Sequence, residues 1–302
     1  MKFDKTILLN VSLLFIVSNF LVGCTLKDEL TGFLLVPMGT TLNQNTGIYS
    51  IDLKTDEQLS KYFWNENYQY VRFPTIKNQS LYCLAQNVNS NYYAIIEIRG
   101  NQVLEVFKSN KKIISYTIEP NEKIVFIQEE NGKLYLFSKH IKNDHITRLY
   151  EGGIDEKSRP IIDSDGSIIF AAIDNKIFNI KRVRHNGAIE QLMNGRYPLL
   201  MNAGADLIYY KSRSIMKYNL LKRKEKRLKS KITLLETPVL SPDEKYLAFY
   251  ETDFVSPLGG EWTDFLSVLS LNSRQKKHIK AYNKARITLN LRGINWVDSL
   301  NH

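Results

Sequence analysis

Few side chains in this sequence are spaced for covalent chemistry. The five histidines are His140, His145, His185, His278 and His302. His140 and His145 flank the polar tip Lys142-Asn143-Asp144 and could approach one another. Two imidazoles without a third ligand do not make a zinc site. No ladder of Asp and Asn has the spacing of a calcium loop. The sequence contains no GxSxG elbow, no HExxH and no GxxxxGK(S/T). A serine nucleophile, a zinc hydrolase and a phosphate-cradling loop therefore all lack their sequence basis. No catalytic, metal-ligating or cofactor-binding residue is expected.

Binding chemistry is better represented. Basic side chains recur at five places: Arg99; Lys139, His140 and Lys142; Lys181, Arg182 and Arg184; Lys222, Arg223, Lys224, Lys226 and Arg227; and Arg274, Lys276 and Lys277. Gathered on one surface, they would attract anionic lipid head groups or another polyanion, weakly and in a salt-dependent way. The plainer reading is that Lys and Arg are ordinary solvated hairpin residues that guard edge strands. A second candidate is the stretch 251–263, ETDFVSPLGGEWT, with three acids, two aromatic residues and Gly259-Gly260 as a hinge. Asp253, Phe254, Glu261 and Trp262 on a long loop suit a site for a protein partner. The plainer reading there has Trp262 packed down only to order the loop.

Both candidates depend on the elements that carry them. Residues 236–250, ETPVLSPDEKYLAFY, read as two short strands joined by a tight turn. Pro242 presets φ, and the Asp243 carboxylate can accept the backbone N–H two residues on. The run Tyr246-Leu247-Ala248-Phe249-Tyr250 is apolar on both faces and suits a strand held between two sheets. Comparable strands start at 33, 81, 124, 168, 207 and 247, spacings of 48, 43, 44, 39 and 40 residues. Two further strands and a polar hairpin follow each of them. Four strands in about 40 residues is the size of one propeller blade.

The two ends complete the count. Only three strands precede residue 64, and a single strand at 292–297 is left over near the C-terminus. Pairing that strand with the first three makes one composite blade and removes the free sheet edges. The fold expected is all-β, a six-bladed β-propeller spanning residues 33–298, with four-stranded antiparallel blades.

Ser241-Pro242-Asp243-Glu244-Lys245-Tyr246-Leu247-Ala248-Phe249 resembles the SPDGK-x-(I/L)-A-F signature of TolB-like, WD-repeat-like bacterial propellers. Residues 163–170, DSDGSIIF, and 119–126, EPNEKIVF, look like degenerate copies. The motif specifies a strand, a turn and a strand, so the resemblance implies a fold and no chemistry. TolB-type proteins place an α/β domain before the propeller, whereas only residues 25–32 separate Cys24 from the first strand here. A role in the Tol system is therefore not implied.

The first 23 residues read as an export signal, with Lys2 and Lys5 before an apolar core that is short for a membrane span. Leu21-Val22-Gly23-Cys24 resembles the lipobox of bacterial lipoproteins. That resemblance implies cleavage before Cys24 and palmitate-type acylation of its thiol, leaving 24–32 as the lipidated residue and a short tether. Two or three acyl chains hold a protein stably where one is marginal. The other reading is an uncleaved signal anchor with an incidental cysteine. Cys83, in an apolar strand, is the second of two cysteines, so a lipidated Cys24 leaves no disulfide.

Taken together, these features lead to two functional readings. One is a lipid-anchored, non-enzymatic protein-binding or assembly module of the cell envelope. It would sit on the outer membrane of a Gram-negative cell or the outer face of a Gram-positive plasma membrane. The other is an envelope enzyme of the lyase, lactonase or glycan hydrolase type, with its site in the central channel. Candidates on the inner strands (Tyr116, Thr117, Arg159, Asn202, Glu236, Asn295) form no ring of carboxylates or histidines. The formal charge of +10 does not point to nucleic acid, because an exported lipoprotein seldom meets it.

Overall fold

In the structure, a computed structural model, residues 30–39, 46–55, 59–119, 122–143, 145–254, 262–282 and 293–300 are described. Residues 1–29, which include the expected leader, Cys24 and most of the expected tether, lie outside them. Six four-stranded antiparallel sheets stand around a common axis. The first holds β1 (Phe33–Gly39), β2 (Thr46–Asp52) and β3 (Leu59–Phe63). The second is β4 (Tyr68–Lys77), β5 (Ser80–Asn87), β6 (Tyr93–Arg99) and β7 (Gln102–Ser109). The third is β8 (Ile113–Ile118), β9 (Lys123–Glu130), β10 (Lys133–His140) and β11 (Ile146–Glu151). The fourth is β12 (Ile161–Ile162), β13 (Ile168–Asp174), β14 (Ile177–Val183) and β15 (Ile189–Asn194). The fifth is β16 (Arg196–Met201), β17 (Asp206–Lys211), β18 (Ser214–Asn219) and β19 (Lys224–Ser230). The sixth is β20 (Val239–Leu240), β21 (Tyr246–Phe254), β22 (Trp262–Ser270) and β23 (Lys276–Tyr282). Finally β24 (Asn295–Val297) returns to the first blade, where it pairs with β1. The six-bladed ring expected from the spacing is the fold observed.

Turn chemistry sets the strand starts. Asp243 Oδ1 accepts the Lys245 N–H at 3.2 Å, the Asx-turn expected there, and the Ser241 hydroxyl donates to the same oxygen at 2.6 Å. The Tyr246 N–H donates to Ser241 Oγ at 2.9 Å, so one serine locks both sides of the turn. In the fourth blade Asp165 Oδ1 takes the Ser167 N–H at 2.8 Å in the same way. The second strand of each complete blade then runs between two sheets. Leu247, Ala248 and Phe249 are fully buried, as are Ile169, Phe170 and Ala171.

The core is divided into six clusters, each shared by two neighbouring blades. At the closing seam Leu34, Val36 and Trp296 of the first blade pack against Tyr246, Ala248 and Tyr250 of the sixth. Trp296 stacks on Tyr246 with ring centroids 6.1 Å apart, and its indole N–H donates to the Thr31 carbonyl at 3.2 Å. Gly32 sits at φ +89°, where a side chain would collide with the Val297 carbonyl. Every strand of the closed ring thus lies within residues 33–297.

Within each blade, hairpins between the first and second strands and between the third and fourth emerge on one face of the disc. Hairpins between the second and third strands emerge on the other. The start of β1 opposes the end of β2, Phe33 facing Asp52, so the chain enters the ring on the first of these faces.

Candidate functional site

All five basic clusters lie at third-to-fourth-strand hairpins and share the face on which the chain enters. Their environments differ. In the fifth blade the hairpin between β18 and β19 is built by Asn219. Its side-chain oxygen accepts the Lys222 N–H at 2.6 Å, and its amide donates to Asp206 Oδ1 at 2.7 Å. The Leu220 N–H donates to the Ala205 carbonyl at 3.0 Å, and the Leu220 side chain packs on the core shared by the fourth and fifth blades. With Leu220 turned inward, Leu221 projects outward and is 84% exposed. Lys222, Arg223, Lys224, Lys226 and Arg227 are all exposed, and among the described residues none forms an ion pair. The one acid in the run, Glu225, is engaged by Lys211 at 3.3 Å and by the Tyr209 hydroxyl. That hydroxyl, as the main cause, holds the Glu225 carboxyl below the usual carboxylate range.

The other hairpins spend their charge internally. Arg99 pairs with Glu97 at 2.7 Å, and Lys142 with Glu122 at 2.7 Å. Lys139 is buried, with its ammonium donating to the Asn143 carbonyl at 2.7 Å. Lys181 pairs with Asp174 at 2.7 Å, Arg182 with Asp163 at 2.8 Å, and Arg184 with Glu190 at 2.9 Å. Lys276 pairs with the buried Glu251 at 2.9 Å. The five basic hairpins thus share one face, and among the described residues the cations without an ion pair are most numerous at the fifth blade.

The end of β21 and the start of β22, which flank the acidic and aromatic stretch, lie on the opposite face, as the strand order requires. Asp253 and Phe254 end β21 and Trp262 begins β22, with Asp253 opposite Thr263 and Phe254 opposite Trp262. Glu261 and the rest of 255–261 fall outside the described residues.

Near the axis, side chains tie blades to one another. The Tyr116 hydroxyl donates to the Phe73 carbonyl at 3.0 Å, joining the third blade to the second. Arg159, just before β12, reaches past the third blade to donate to Thr75 Oγ1 at 2.8 Å. Lys157 reaches past the fifth blade to the Leu235 carbonyl at 3.4 Å. Burial lowers the proton affinity of the Arg159 guanidinium, opposed by Tyr116 and Glu236. Asn295 lies in β24, and Asn202 stands in a turn, where its N–H donates to Glu244 Oε2 at 2.7 Å.

A cavity of about 800 Å³ opens at the channel mouth on the hairpin face, with Lys77, Thr117, Glu119, Asp163, Asp165 and Glu244 among its lining residues. Asp163 is held by Arg182, Asp165 by the Ser167 N–H and Glu244 by the Asn202 N–H. Among the described residues, no group of three His, Cys, Asp or Glu side chains is placed to hold a metal ion, and His140 and His145 are both exposed.

One cluster escaped the sequence reading. Ser267, His278 and Glu251 have the composition of a nucleophilic triad. The Ser267 hydroxyl donates to Glu251 Oε1 at 2.6 Å and lies 2.9 Å from His278 Nδ1. Ser267 and Glu251 are buried, and the serine spends its proton on the carboxylate rather than on the imidazole. A nucleophile needs the base to take that proton and a path for substrate, so this network pins three strands of the sixth blade. Only strand register brings its members together. Cys83 is fully buried, and burial pushes its thiol well above the ordinary range, which suits an inert core residue.

No protein-family model matches this sequence, and no curated protein matches it in sequence. Solved structures do match it in shape. TolB from Acinetobacter baumannii superposes with a TM-score of 0.67 at 14% identity, covering 88% of this chain and 66% of that one. A chain of a nidogen/laminin complex gives 0.57 at 12% identity, covering 88% and 97%. Hydrazine synthase from Kuenenia stuttgartiensis gives 0.60 at 11% identity, covering 89% and 48%. The chain thus spans slightly less than two thirds of the Acinetobacter TolB chain. At these identities the likeness establishes a TolB-like propeller fold.

Proposed function

We propose that this chain is a lipid-anchored propeller of the bacterial cell envelope that binds a protein partner without catalysing a reaction. The observation that carries this reading is how the polar side chains near the axis are spent. Arg159, Lys157 and Tyr116 bond from one blade to another across or around the axis, and three of the four acids at the mouth, all but Glu119, are committed to turns and an ion pair. What remains available is the surface of the two faces. The nidogen/laminin chain, similar in fold, belongs to a complex of two proteins, which supports a partner of the same class. The anchor rests on Leu21-Val22-Gly23-Cys24. The cavity of about 800 Å³ at the mouth is what favours the second reading, an envelope enzyme.

Cross-linking of the anchored protein in its native envelope, followed by isolation, tests the first reading. Capture of a defined protein that is lost on replacing Phe254 and Trp262 by serine is expected. Capture unchanged by those substitutions, or no capture above that of an unrelated lipoprotein, overturns the assignment. Palmitate labelling that persists in Cys24→Ser would remove the anchor from the proposal.

A further inference from the structure

We infer that the β18–β19 hairpin is a second membrane contact, with Leu221 inserting among anionic phospholipids while Lys222, Arg223 and Lys224 hold their head groups. The inference rests on the reading that the protein works at a membrane, and four observations carry it. Leu221 is 84% exposed at a turn that Asn219 and Leu220 hold in shape, so its exposure is built rather than incidental. Five exposed cations follow it within six positions, and among the described residues none has an acidic partner within ion-pair distance. In four comparable hairpins most of the cations, though not Arg274, are held in ion pairs within the blade. Finally, the chain enters β1 on this same face, so a tether from Cys24 brings this face toward the bilayer. Nine residue steps from Cys24 to Phe33 span at most about 30 Å.

Chemistry selects the occupant. An acidic protein surface would satisfy the cations but leave an apolar tip needing a pocket of its own. An anionic bilayer satisfies both groups at once, since its phosphates lie directly above acyl chains. Lys226 follows two residues along β19, about 7 Å from Lys224 and still within a Debye length of roughly 8 Å at physiological salt. A lipid chain on Cys24 and a basic, apolar contact on the disc would together constitute the two signals that stable anchoring takes. The disc would then rest with its hairpin face on the membrane and the end of β21 and start of β22 on the face turned away.

A chain beginning at Thr25 carries every strand of the closed ring and lacks the acylated residue, which separates this contact from the anchor. Its co-sedimentation is measured with phosphatidylglycerol–phosphatidylcholine vesicles and with phosphatidylcholine alone. The expected result is binding to the anionic vesicles only, released at high salt. Joint reversal of Lys222, Arg223, Lys224 and Lys226 to Glu should lower partitioning more than about a hundredfold. Leu221→Asp should lower it about tenfold, with the melting temperature of each variant close to the parent's. In Leu221→Trp, added indole emission should shift to the blue on vesicles and be quenched by brominated acyl chains. Equal binding to neutral vesicles, or binding indifferent to the four reversals, overturns the inference. So does Leu221→Trp emission that stays unmoved while the protein sediments, since the tip would then touch head groups without inserting. Binding to soluble polyphosphate with none to vesicles would assign the hairpin to a polyanion instead. Palmitate labelling of the full chain reports on Cys24 separately, so either result can fail alone.

Discussion

The hairpins of the fourth and fifth blades differ in sequence far less than in what they do with charge. Each is a basic run on the same face, between the third and fourth strands. In the fourth, Arg182 is largely buried and reaches Asp163 in the turn before the second strand, while Lys181 and Arg184 have their own acids. In the fifth, Asp206, the first residue of the second strand, is taken by Lys217 at 2.8 Å and by Asn219, both in β18. The hairpin cations beyond it are left to solvent. A charge spent within the blade stabilises it, and a charge spent on neither strand nor turn is available to something else. Two hairpins of similar composition can therefore be a strut and a contact surface.

The largest effect should come from breaking the strut. Arg182→Ala leaves Asp163, with a side chain only 7% exposed, as an uncompensated buried charge. A loss of about 3–5 kcal/mol is expected in urea unfolding, whereas Arg227→Ala in the fifth blade should stay within about 0.5 kcal/mol. Equal losses at the two positions would erase the distinction drawn between the hairpins.

A smaller effect should follow from loosening the shape of the contact hairpin. Asn219→Ala removes the acceptor of the Lys222 N–H and a donor to Asp206. It should cost about 1 kcal/mol and release the turn that directs Leu221 outward, seen as faster amide exchange at Leu221 and Lys222. Unchanged exchange would show that the backbone alone holds the tip.

Acid should affect the fourth blade through its turn. The Ser167 N–H, as the main cause, depresses the Asp165 carboxyl below its ordinary value of 3.8. A depressed folded value means that the stabilisation is fully present above the ordinary value and lost as pH falls through the folded one. Because Asp165 is exposed, solvent screening keeps the effect below about 1 kcal/mol. Stability should fall less steeply below pH 3.8 in Asp165→Asn than in the parent, and parallel profiles would contradict this assignment.

The smallest effect on stability is expected from the charges that matter most for binding. Reversing Lys222, Arg223, Lys224 and Lys226 to Glu touches no ion pair among the described residues, so the change should stay within about 1 kcal/mol. A large drop in melting temperature would mean that these cations are structural after all.

Much of the scaffold was legible because its signals are local. The Ser-Pro-Asp turn and the doubly apolar strand after it each involve residues within a few positions, and the structure shows both, repeated at the spacing read from the sequence. The composite blade followed from counting three strands at one end and one at the other, and Leu34 opposite Trp296 is its outcome. The candidate surfaces were legible only as composition. Lys181-Arg182 and Lys222-Arg223 look alike in the sequence, and nothing near them says which has an acid in reach. The exposed Leu221 was likewise indistinguishable from Leu220 beside it.

The sequence by itself determined the blade count, the closing strand and the face on which each loop emerges, because hydrogen-bonded turns and strand alternation are set by neighbouring residues. Only the tertiary structure decided which side chains are partnered. Arg182 meets Asp163 across 19 residues, Arg159 meets Thr75 across 84, and Ser267 meets Glu251 across 16. Such meetings depend on the register between strands and on the packing of one blade against the next, and a shift of one residue would turn each side chain to the other face. Whether a basic hairpin braces the disc or projects from it is settled by that register.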